Sequence, residues 1–158
     1  MHTVLRDPRR KIKRKKLNMH AVNDSVLPVP LGKIKHGTKE SEKAVWEVLN
    51  YIKTTLGFSG SEIARLIHLP PTTVNNWLSN KRVPIGKPPF SPETQAILHF
   101  IAIHRSLTAM FLKPENQLAW LKTKHPVLGV IPLEKIKESI EGLLFIRQYL
   151  DYVRGRGA

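Results

Sequence analysis

The chain contains no cysteine. Disulfide scaffolds and thiolate metal sites are therefore excluded, and a reducing cytoplasm is compatible with the composition. Acidic residues are scarce too. Twelve Asp plus Glu stand against 26 Lys plus Arg, a formal charge of +14. That imbalance favours a polyanionic partner, either nucleic acid or an anionic membrane surface. Long apolar runs are missing. The most apolar stretch, 96–112, is interrupted by His99, His104 and Arg105. It is near the shortest spanning length of about 17 residues, and its polar groups argue against a bilayer. We read it as a buried or interfacial helix and expect no membrane partner. No apolar segment of the secretory type follows the charged N-terminus. There is no alternating strand pattern and no internal repeat, so the expected fold is all-α. No nucleophile–base pair, phosphate-cradling glycine loop or paired carboxylates can be found. The chain is expected to be no enzyme and to need no cofactor or metal.

Of the 158 residues, 41% are apolar, enough for one compact domain or two small ones. The positive charge is concentrated at the start. Residues 1–20 carry eight Lys or Arg and one Asp, and RRKIKRKK at 9–16 is too charged to fold alone. It reads as a disordered basic arm, with Arg9, Arg10 and Lys11 as candidate nucleic-acid contacts. Its alternative is a solubilising tail. Residues 21–37 hold Pro28, Pro30, Gly32 and Gly37 and look like an extended linker.

Helical periodicity then takes over. Val45, Leu49, Ile52 and Leu56 predict a helix over about 40–56, with Gly57 as a stop. VPIGKPP at 83–89 is expected to be a surface loop. Ser91-Pro92-Glu93 is a strong helix start, leading to about residue 112. Its broad apolar face reads as core or as a homodimer seam. Further helices are expected from Pro114, over about 132–140, and over about 143–153, with Gly142 separating the last two. Residues 154–158 are expected to form a tail. Glu134, Glu138 and Glu141 beside Lys135 and Lys137 fit a solvated face.

The most informative stretch is 61–82, SEIARLIHLPPTTVNNWLSNKR. It reads as two short helices joined by a tight turn, anchored by Ala64, Ile67, Leu69, Val74 and Trp77. A small residue at Ala64 lets the second helix cross close over the first. Thr72, Thr73, Asn75, Asn76 and Ser79 are left pointing largely outward. Small hydrogen-bonding side chains on an exposed helix suit the major groove of DNA. Asn75 and Asn76 can pair with adenine edges, and Lys81 or Arg82 with phosphate or guanine. The bland alternative is an ordinary polar, solvent-facing helix.

That spacing resembles the helix-turn-helix of the phage-repressor-like, or Xre, family. It departs from the family pattern at the turn. His68 stands where glycine is common, and Pro70-Pro71 replaces a polar capping pair. Histidine can adopt the left-handed conformation at some cost. The C-terminal third carries a second resemblance. Trp120-Leu121, Leu128-Gly129, Pro132-Leu133, Gly142 and a closing amphipathic helix look like the toxin-binding domain of Xre/MbcA/ParS antitoxins. Together the two resemblances span about 38–157.

The resemblance implies an antitoxin of a type II toxin–antitoxin system. Such a protein binds its cognate toxin through the C-terminal domain and represses its own operon through the helix-turn-helix. The implied toxin is of the RES type, which consumes or uses NAD, and the implied location is the cytoplasm, nucleoid-associated when DNA-bound. Toxin contact is expected from the last helix and tail, at Gln148, Tyr152, Arg154 and Arg156. The expected organisation is a basic arm and linker over 1–37, a helix-turn-helix domain over 38–112 and a toxin-binding domain over 113–158. Cognate toxin, operator DNA and a second copy of the chain are the expected partners. One alternative is a stand-alone helix-turn-helix regulator with a C-terminal dimerisation domain. A small enzyme or RNA-processing factor is another, and it would need a catalytic constellation.

Overall fold

The computed structural model describes residues 35–156, side chains through Gly155. The basic arm, with Arg9, Arg10 and Lys11, lies outside them. Seven helices and no strand are found among the described residues: α1 (Lys39–Leu56), α2 (Gly60–Leu66), α3 (Pro71–Asn80), α4 (Pro92–Met110), α5 (Pro114–Lys122), α6 (Pro132–Glu138) and α7 (Ile140–Arg156). The all-α expectation is met. No single helix among them is long and apolar enough to cross a membrane.

Local chemistry sets most of the boundaries. Thr38 caps α1 through a reciprocal pair of bonds with Ser41, and Gly57 ends it in the left-handed conformation at φ 72°. Such a φ favours glycine because a side chain would crowd the following carbonyl. Ser91 caps α4, with Pro92 at the first helical position. Pro114 and Pro132 likewise open α5 and α6.

One continuous apolar core joins all seven helices. It runs from Val45, Val48 and Ile52 of α1, through Ile63 and Val74, to Ile97, Ile101 and Leu107 of α4, and on to Ile136, Leu143 and Ile146. The broad apolar face of α4 packs against α7 of the same chain. That side of the helix is therefore core, not a seam left open for a second copy.

Three expectations need correction. The 83–89 segment is not simply a surface loop, because Val83 and Ile85 are buried. The Val83 amide donates to the Glu42 carbonyl, and Thr94 Oγ1 donates to the Ile85 carbonyl. Loop backbone this deep is tolerated because its polar groups are paired. Gly142 does not separate the last helices either. The break is at Ser139, whose hydroxyl accepts from the Gly142 amide at 3.0 Å and so caps α7. Finally, 154–156 is not a tail, since α7 continues to Arg156.

Candidate functional site

The helix pair α2–α3 is built from local rules. Ser59 caps α2: its hydroxyl accepts from the Glu62 amide, and the Glu62 carboxylate accepts from the Ser59 amide at 2.7 Å. This backbone bond holds the Glu62 carboxyl below its ordinary value. The two helices meet at small residues. Ala64 is fully buried, and a side chain at Gly60 would collide with the Asn75 carboxamide. The close crossing therefore uses Gly60 as well as Ala64.

The turn between them is closed despite its unusual sequence. His68 takes the left-handed conformation at φ 57°. The Leu69 amide donates to the Ala64 carbonyl at 2.9 Å, which closes the end of α2. Pro70 supplies no side-chain cap, and Pro71 occupies the first position of α3, where its missing donor costs nothing. The His68 ring reaches across the molecule, with Nε2 2.7 Å from the Ile136 carbonyl oxygen on α6. A carbonyl only accepts, so Nε2 carries the proton and donates.

On α3, Val74 is buried, while Trp77 and Leu78 pack half-buried against the core. Thr72, Asn75, Asn76 and Ser79 are exposed on one outward face, and Thr73 is half-buried at its edge. Asn75 also lies against Gly60, so Asn76 and Ser79 are the less encumbered pair. Lys81 is exposed and ends α3 at φ 54°. Arg82 is engaged within the chain: its guanidinium is paired with the Glu42 carboxylate on α1.

The second surface is on α7. Leu143, Ile146 and Leu150 are fully buried and define its inner face. A side chain at Gly142 would collide with the Lys135 carbonyl, so the glycine sets how closely α6 and α7 approach. The outer face carries Glu141, Phe145, Gln148 and Tyr152, all exposed and spaced by three or four residues. Phe145 is 43% and Tyr152 58% exposed, a large aromatic investment on a solvent face. Arg147 pairs with Asp151 at 2.8 Å and also bonds His99 Nδ1 on α4. Arg154 donates to Ser106 Oγ on α4 at 3.3 Å. The backbone of Arg156 closes α7, and its side chain lies outside the described atoms.

Gln148 and Tyr152 thus share one face, whereas Arg154 turns toward α4. Phe145 is the residue that sequence reasoning missed. Its signal was present, because once Leu143, Ile146 and Leu150 are taken as core, Phe145 must face outward.

Residues 106–156 match the family model described as the antitoxin Xre/MbcA/ParS C-terminal toxin-binding domain. The match covers the C-terminal third of the chain. A comparison with curated proteins finds no match. The matched toxin-binding domain starts within α4, at Ser106, and ends where α7 ends. It therefore contains the Ser106–Arg154 contact at its base, the aromatic face of α7, and the helices α5 and α6 between them. The family assigns an antitoxin role in a toxin–antitoxin system, with a cognate toxin as the partner it implies. A domain of this kind works by binding.

Proposed function

We propose that the chain is a two-partner antitoxin. It neutralises a cognate toxin through the outer face of α7 and represses its own operon through α3. The observation that carries the reading is the coincidence of the toxin-binding match with an exposed stripe in which Gln148 stands between the aromatic Phe145 and Tyr152. Aromatic side chains on a solvent face are the usual anchors of a protein interface. The outward Thr72, Asn75, Asn76 and Ser79 of α3, on a chain of charge +14, support operator reading in the major groove. Lys81 and the basic arm supply phosphate contacts. Two copies would place two α3 helices on a palindromic operator in the cytoplasm. The toxin is of the RES type and NAD-consuming, and the antitoxin blocks its active site without performing chemistry.

The test is co-expression with the product of the adjacent gene, followed by pull-down and growth rescue. Rescue by the wild-type chain, lost in Phe145→Glu, is the expected result. If no complex forms and growth is not rescued, the chain is a stand-alone regulator instead. In a gel-shift competition, Asn76→Ala should lower the preference for operator over random DNA. Unchanged preference would remove Asn76 from the reading surface.

A further inference from the structure

The toxin-binding domain holds a feature that none of its predicted contacts uses. Between α5 and the α5–α6 connection lies an open surface depression of about 370 Å³. Its apolar lining comes from Phe111, Trp120 and Pro126, with Ala119 at its mouth on an exposed position of α5. The neighbours of its lining in sequence are unusually exposed apolar residues: Leu112 at 86% and Val127 at 78%. A preformed slot flanked by exposed aliphatic side chains has the anatomy of an anchor site for a partner's side chain.

The connection that lines the slot is braced by contacts around His125. The ring Nδ1 accepts from the amides of Val127 at 3.2 Å and Leu128 at 3.3 Å. The proton therefore sits on Nε2, which lies 3.3 Å from the Tyr149 hydroxyl and donates to it. The ring packs edge-on against Trp120, at 5.7 Å between centroids, and against Tyr149, at 5.2 Å. The backbone is locked as well, since the His125 amide donates to the Val130 carbonyl and the Gly129 amide to the His125 carbonyl. Gly129 takes φ 69°, which this tight loop requires.

We propose that this slot is a second anchor for the cognate toxin, receiving an apolar side chain carried on an acidic segment. The inference rests on the antitoxin reading above. Two observations choose the toxin over other occupants. The slot lies wholly within 106–156, and Tyr149 links it to α7, on whose outer face Phe145 and Tyr152 stand one turn to either side. Lys124 lines it and exposed Lys113 follows Leu112 directly, so acidic flanks on the incoming segment are favoured. Toxin contact then spreads over two patches, one on α7 and one on α5.

Ala119→Arg and Val127→Asp test this on the full chain. Both positions are exposed, so the fold should be kept. Ala119→Arg fills the mouth of the slot, and Val127→Asp sets an acid against the acidic segment. The probe is the purified product of the adjacent gene, titrated calorimetrically. Each variant should bind at least tenfold more weakly, with melting temperature and operator affinity unchanged. Affinities within twofold of wild type would overturn the proposal. If they come with a changed oligomeric state, the slot belongs to a second copy of the chain. Phe145→Glu is measured in parallel. If it weakens binding while the slot variants do not, the antitoxin reading stands and the second anchor falls. If wild type itself does not bind, both fall together.

Discussion

His104 is 2% exposed in α4, and neither ring nitrogen finds a hydrogen-bond partner. The Tyr51 ring packs against it edge-on, at 6.0 Å between centroids. Burial in these surroundings penalises the charged imidazolium and pushes its pKa down to about 4. The unfolded chain therefore binds a proton near pH 6.5, where the folded protein does not. Stability is full above that pH and is lost as pH falls toward 4, by up to about 3 kcal/mol. Urea denaturation at pH 7 and pH 4.5 should show this loss, and His104→Leu should shrink it. His99, lowered by burial and then by Arg147, acts with the same sign, so some acid sensitivity remains in the variant. Equal acid sensitivity in His104→Leu would contradict the assignment. His68 makes a different demand, because it combines a left-handed backbone with a 2.7 Å bond to Ile136. Ala at 68 loses the bond and keeps the strain, at a cost of about 1 to 2 kcal/mol. Gly loses the bond but relieves the strain, so its unfolding midpoint should lie nearer wild type. Gly and Ala variants of equal stability would show the strain to be negligible.

At the level of elements, the α6–α7 junction depends on one missing methyl group. Gly142→Ala would press a Cβ onto the Lys135 carbonyl, and the two helices must separate to admit it. The expected cost is about 1 to 3 kcal/mol, read as a lower melting temperature. Toxin binding should weaken with it, because α7 carries the outer aromatic face. A melting temperature unchanged in Gly142→Ala would mean that the junction yields freely. The sequence alone suggests the opposite role for Gly142, since glycine marks a helix break as readily as a close approach between helices. The anchors of the helix pair were legible because burial there follows a local period: Ala64, Ile67 and Val74 are all fully buried. Val83 and Ile85 were not, because a loop is buried only when distant groups such as Glu42 and Thr94 satisfy its backbone. The His68–Ile136 bond joins residues 68 positions apart and leaves no local trace. The Arg82–Glu42 pair, between residues 40 positions apart, leaves no local trace either.

Across the whole molecule, the two proposed surfaces belong to different parts of one packed body. α3 packs against α1 and α2, whereas α7 packs against α4 and α6. The outward Thr72, Asn75, Asn76 and Ser79 of α3 are not part of the proposed toxin surface on α7 and the slot beside α5. The two halves still touch where α2 meets α6, next to the His68–Ile136 bond. Adding toxin to the antitoxin–operator complex should then give a band that migrates more slowly, with toxin, antitoxin and DNA together. Release of DNA in proportion to toxin bound would show instead that the surfaces overlap or exclude one another. Repeating the titration with Phe145→Glu separates the possibilities, because that variant keeps α3 intact and removes an anchor on α7. Loss of the slower band with unchanged operator binding would show the two binding surfaces to be separable, so that neutralisation and repression can proceed on the same molecule.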